Sequence, residues 1–163
     1  MLISPKVYLN YFADARRIDS QLAWLRNEAG GRFGMVSSDL PLISNLSLKQ
    51  NCALVLQYHR HFSTRTALNE ADSLLALFGL SHRGHLDCAQ LGERDIFVGK
   101  LVRAVLLEQA FVVIDRPSEQ LHADCEISDI IAMIDKLAQY FAVCHILEYQ
   151  WEEERYHGLR RIR

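Results

Sequence analysis

Two groups of residues have the types and spacing for chemistry. The first is Asp115-Arg116-Pro117, which ends an unbroken apolar run, Phe111-Val112-Val113-Ile114. A carboxylate at the tip of a buried β-branched strand faces the edge where open α/β sheets bind ligands. It could help to hold a hydrated cation, or it could pair with the adjacent arginine. The second group is His82-x-x-His85-x-x-Cys88, three side chains with spacing suited to zinc or a haem-type iron. No second half of a zinc motif accompanies it, so solvated loop histidines are the expectation and a metal site the alternative. Cys52, Cys88, Cys125 and Cys144 are scattered without a C-x-x-C, as reduced and mostly buried thiols would be. No G-x-S-x-G nucleophile elbow occurs.

The elements that must position these groups follow from periodicity. Leu101, Val105 and Leu106 share one side of a helical pattern, with Arg103 and Glu108 left to solvent, and the pattern turns into the 111–114 strand at Ala110. Upstream, residues 5–12 alternate as a short strand. Ile18, Leu22 and Leu25 mark a helix over 14–27 that Gly30-Gly31 would stop, and 32–37 form a second strand. Ser47-Leu48-Lys49-Gln50 is a capping box opening a helix to about Tyr58. A further helix over 65–78 carries Leu68, Ala71, Leu75 and Phe78 on one face, and 81–90 is a loop. Ile127, Ile130, Ile131, Ile134 and Leu137 predict an amphipathic helix over 123–140, followed by a strand over 141–147. The tail from Trp151 onward passes from acidic to basic and suits a solvated end or a contact patch.

The chain has 163 residues, 50% of them hydrophobic, and a formal net charge of −2, which favours one globular domain with an ordinary core. That balance offers no electrostatic argument for nucleic acid. No segment has the apolar length of a membrane span, and the first residues lack the apolar region of a signal peptide, so a cytoplasmic protein is expected.

Residues 91–117 resemble the Walker B region of ABC-type ATPases, in which a signature helix leads into four apolar residues and Asp-Glu-Pro. Arg103-Ala104 falls where the signature helix carries Arg-Ala, and Asp115 on the Asp that supports the nucleotide's Mg²⁺. Phe33-Gly34-Met35-Val36-Ser37-Ser38 resembles the strand ending in the Q-loop glutamine, with Ser38 in that place. Leu46-Ser47-Leu48-Lys49-Gln50-Asn51 resembles the helix start that follows. The likeness is collinear over residues 30–140, and its departures all fall on phosphate handling. No G-x-x-x-x-G-K-S/T occurs, and Leu91-Gly92-Glu93-Arg94 replaces Leu-Ser-Gly-Gly. Arg116 replaces the catalytic Glu, and His122 the D-loop Asp. His145 is a candidate switch histidine, although Ile146-Leu147 reads as a continuing strand.

The resemblance implies a reduced P-loop/ABC-ATPase-like α/β domain over 1–163, with a parallel core sheet, a small helical subdomain at 47–80 and a divergent N-terminal segment at 1–30. It implies a pseudo-ATPase without catalytic residues or cofactor, acting through protein–protein contact as an accessory subunit of an ABC transporter. The implied partners are a membrane permease or an intact ABC ATPase, with a homodimer left open and the inner membrane reached only through a partner. Leu40, Pro41 and Leu42, expected in an exposed loop, would form the partner groove with Asn51 and Tyr58. The alternative is a small-molecule or metal-binding sensor using His82, His85 and Cys88 or the Asp115-Arg116 pair.

Overall fold

The computed structural model describes residues 2–3, 6–121, 125–157 and 160–161. Along the chain lie β1 (Leu2–Ile3), β2 (Val7–Phe12), α1 (Ala15–Ala29), β3 (Phe33–Val36), α2 (Leu48–Arg60) and α3 (Thr64–Ala76). They are followed by α4 (Glu93–Val105), β4 (Ala110–Asp115), α5 (Pro117–Gln120), α6 (Ile127–Lys136), β5 (Phe141–Tyr149) and β6 (Arg160–Arg161). Strands β2, β5, β4 and β3, in that order, form an all-parallel sheet, while β1 and β6 make a separate parallel pair. Among the described residues no helix is long and apolar enough to cross a membrane.

The order dictates where the helices lie. From β2 at one edge the chain crosses to β3 at the other, then steps back inward to β4 and β5. Right-handed crossovers running in opposite directions place their helices on opposite faces. So α1 covers one face alone, and α2, α3, α4 and α6 cover the other. The residues of β4 report this split through their period of two. Val112 and Ile114 join the large core with Leu48, Leu56, Leu74, Phe97 and Ile130, whereas Val113 packs with Ile18, Leu25 and Leu147 under α1.

Helix α4 is the most deeply embedded, with nine of its residues buried between α2, α3 and the sheet. Gly34 permits this approach, since a Cβ there would collide with the backbone of Ala104. Helices α2 and α3 begin at the expected Ser47 capping box and at Ser63, and they share one core with the sheet.

Several local expectations are corrected. Leu42 is only 6% exposed, packing with Leu48 against Gly99, and so belongs to the core. Arg103 does not extend into solvent; its Nη1 and Nη2 donate to the carbonyls of Pro41 and Leu40 (3.0 and 2.7 Å). Helix α6 is shorter than 123–140, and β5 runs on to Tyr149 because it is paired on both sides, with Tyr149 opposite Phe12 and Leu147 opposite Asp115. Beyond β5 the chain coils through a 3₁₀ segment, Gln150–Tyr156, that buries Tyr156.

Strand β4 is paired on both sides and covered on both faces. Ile114→Ala is expected to cost about 2–5 kcal/mol through lost transfer energy plus cavity. Chemical denaturation measures it, and a near-neutral result would contradict the central place of β4.

Candidate functional site

The carboxyl ends of the sheet strands gather the polar residues of the interior. Two carboxylates are almost fully buried there: Asp115, 2% exposed at the end of β4, and Glu148, 1% exposed near the end of β5. A buried charge must be paired and hydrogen-bonded to be tolerated. Asp115 meets this condition with both oxygens. Its Oδ1 accepts from Arg116 Nε (2.8 Å), and its Oδ2 accepts from Arg116 Nη2 (2.9 Å) and Ser37 Oγ (3.0 Å).

Arg116 can fold back on its neighbour because its backbone is left-handed, at φ 44° and ψ 63°. Its N–H donates to Leu147 O at 2.9 Å, and Pro117 then starts α5. The guanidinium also reaches Tyr149 Oη (3.4 Å), Glu119 (3.6 Å) and Asp39 (3.9 Å). The hydrogen bond to Asp115, above all, raises the Arg116 pKa beyond its ordinary value. A second layer fastens the neighbouring strand ends. Gln120 Nε2 donates to Asp115 O (2.7 Å) and Val36 O (3.3 Å), and its Oε1 accepts from Lys100 Nζ (3.0 Å). Lys100 Nζ also donates to Ser37 O (2.8 Å), and burial pushes its pKa down.

At the end of β2 only Ala13 and Asp14 link strand to helix. The Asp14 carboxylate accepts from Arg17 N (3.0 Å) and caps α1. A helix N-terminus following a parallel strand attracts anions. Here the chain's own carboxylate fills that position.

Glu148 differs from Asp115 in having neutral donors. Its oxygens accept from Ser118 N (3.2 Å), Tyr149 N (3.1 Å) and Tyr156 Oη (3.3 Å), tying the 3₁₀ segment to the start of α5. Burial raises the Glu148 pKa, against the lowering effect of its hydrogen bonds. Tyr11, edge-on to Tyr156 at 5.8 Å between centroids, is pushed up to about 12, chiefly by burial and then by Glu153 and Glu148.

The remaining sequence candidates do not converge on this edge. Ser38 is exposed, Gly92 caps α4, and Glu93 and Arg94 are exposed in its first turn. His122 lies outside the described residues. His145 sits in mid-strand opposite Val113, stacked between Tyr8 and Phe111 at 5.1 and 5.3 Å, with its pKa lowered by burial. His82 and His85 are exposed, while Cys88 turns inward toward Asn51 and Ile43 O. Among the described residues, no three His, Cys, Asp or Glu side chains assemble as a metal site.

The expected partner groove is also redistributed. Asn51 is buried, its amide bonded to Ile43 N (2.6 Å), Ile43 O, Leu46 O and Ser47 O, so it staples the preceding loop instead of lining a cleft. Pro41 is exposed, and its carbonyl holds Arg103. Leu40, 43% exposed, lines a hollow with Leu22, Phe33 and Met35 on the α1 face. Tyr58, 75% exposed, projects from α2 on the opposite face.

Sequence reasoning missed Ser37, Lys100, Gln120, Glu148 and Tyr156. Only Glu148 carried a signal, since it ends an apolar run much as Asp115 does. No protein-family model matches the chain.

Removing Arg116 strands a buried carboxylate, so Arg116→Ala should cost about 3–5 kcal/mol in chemical denaturation. A loss no larger than that of an ordinary surface substitution would show that the pair carries no structural weight. Glu148 gives a pH signature. Its folded-state pKa lies above its unfolded value, so its contribution is complete below the unfolded value and is lost as pH rises through the raised one. Wild type minus Glu148→Gln should show unfolding free energy declining across that window; a flat difference would contradict the burial of the carboxyl.

Proposed function

We propose that the chain is a non-catalytic domain that works by binding other proteins. The observation that carries this is the state of Asp115. Both of its oxygens are held inside the molecule by Arg116 and Ser37, so Asp115 presents no free carboxylate at the strand ends. The Asp14 cap supports the same conclusion, because it occupies the helix end that would otherwise attract a phosphate. A site that neutralises its own charges offers little to a nucleotide and its metal. The ABC-like motif order makes a membrane permease or an intact ATPase subunit the proposed partner, with the chain as an accessory subunit. Large apolar side chains stand exposed on both sides of the molecule, among them Trp24, Tyr58 and Trp151, as a contact protein requires.

Titration of a fluorescent ATP analogue with Mg²⁺ tests the proposal. No saturable binding is expected for the wild type or for Arg116→Glu, which would add a carboxylate without creating a phosphate nest. Micromolar saturation by the wild type would overturn it. In co-purification, Tyr58→Ala should weaken recovery of the permease or ATPase partner while leaving the fold intact.

A further inference from the structure

We propose that two copies of the chain associate through β3, paired antiparallel about a two-fold axis, so that the sheet continues from one protomer into the next. Strand β3 closes the order β2-β5-β4-β3, and its outer edge has no strand partner among the described residues. Edge strands are commonly protected by lysine, proline, a bulge or an inward charge. Phe33-Gly34-Met35-Val36 is short, at four residues, but carries none of these and keeps an unshifted register with β4 from Phe33↔Phe111 to Val36↔Ile114. Alternate N–H and C=O groups of such a strand point outward, ready for another ladder.

Beside this edge, on the α1 face, lies a surface hollow of about 350 Å³ with Leu22, Phe33, Met35 and Leu40 in its lining. Its charges are arranged along its length. Helix α1 runs from the carboxyl ends of the strands to the opposite edge, so Asp19 lies near the first and Arg26 near the second. Arg26 stands 5.7 Å over the ring of Phe33 at the start of β3, and Asp39 follows the end of β3. The hollow is therefore acidic at one end and basic at the other.

That polarity selects the occupant. In an antiparallel pair the start of one β3 faces the end of the other, so Arg26 of each copy meets Asp19 and Asp39 of its mate. Parallel pairing would turn the two α1 helices to opposite faces, so the two hollows and their charges would not meet. The two-fold axis lies perpendicular to the sheet, which brings both α1 helices to the same face. Phe33, Met35 and Leu40 of the two copies then cover one another across the joint. Such an isologous contact is the commonest route to a closed oligomer.

Sedimentation equilibrium of the full chain over the micromolar range provides the test, with a dimer of twice 18.7 kDa expected. Arg26→Asp alone, or Asp19→Arg with Asp39→Arg, should weaken association by about tenfold or more, and combining all three changes should restore it. Leu40→Asp should weaken it independently. All four positions are exposed, and thermal melts check that the fold is kept. Hydrogen exchange at the β3 amides should slow as protein concentration rises. A monomer at every concentration would overturn the proposal, as would a dimer indifferent to these variants or a charge swap that fails to restore it. An edge that pairs only with a segment of a different protein would also overturn it.

Discussion

The Asp115–Arg116 pair is the constraint around which the strand ends are organised. Asp115 ends a strand that is paired on both sides, so its carboxylate has almost no access to water. Left alone it would carry a desolvation penalty of several kcal/mol. The arginine that relieves this is the next residue in the chain, and it reaches back only by adopting a left-handed backbone, a conformation costing about 1–3 kcal/mol. The strain is held by the contacts it creates: Arg116 N–H on Leu147 O, the fork on Asp115, and Pro117 opening α5. A buried ion pair of this kind adds little net stability over a well-packed apolar pair. Its effect is positional, since it sets the angle at which the chain leaves β4 and draws in Ser37, Tyr149, Asp39 and Glu119.

The two buried carboxylates show how neighbouring strand ends produce opposite electrostatics. Asp115 faces the Arg116 guanidinium, which binds both of its oxygens. Glu148, on the adjacent strand, faces two backbone N–H groups and the Tyr156 hydroxyl, which compensate burial only in part. In many α/β proteins this edge holds reactive groups open to ligand. Here both groups are spent on fastening chain segments: Asp115 on the turn into α5, and Glu148 on the 3₁₀ segment that follows β5. The Lys100–Gln120 bridge fastens the third strand end, at Val36 and Ser37.

What could be read from the sequence was local. The β4 run is legible because four apolar residues followed by Asp-Arg-Pro leave few alternatives, and the Ser47 capping box because both of its partners lie within four residues. The loop over 38–46 was illegible because its geometry depends on residues far away in sequence. Arg103 reaches across to the Leu40 and Pro41 carbonyls, and Gly99 receives Leu42. A helical arginine on the polar side of a periodic pattern gives no hint of such a tether. The resemblance places Asn51 in a partner groove, yet it fits the core with its amide satisfied by the backbone of 43–47. The left-handed Arg116 was equally hidden, since non-glycine residues rarely take that conformation.

The strand order explains why the two faces of the sheet differ. One crossover from edge to edge supplies α1 alone to the first face, and the two inward steps supply α2, α3, α4 and α6 to the second. A single helix of fifteen residues cannot roof four strands. The uncovered remainder is occupied by the stack of Tyr8, His145 and Phe111 and by the hollow beside β3. An aromatic stack tolerates partial exposure better than an aliphatic surface does, because its rings shield each other's faces and its polar edges can meet water. The stack therefore leaves the middle of this face stable without a cover. The β3 side has no such stack, and Met35 has a strand, β4, on its inner side only among the described residues. The imbalance between the faces follows from topology alone, and on the α1 face it leaves an apolar hollow beside β3.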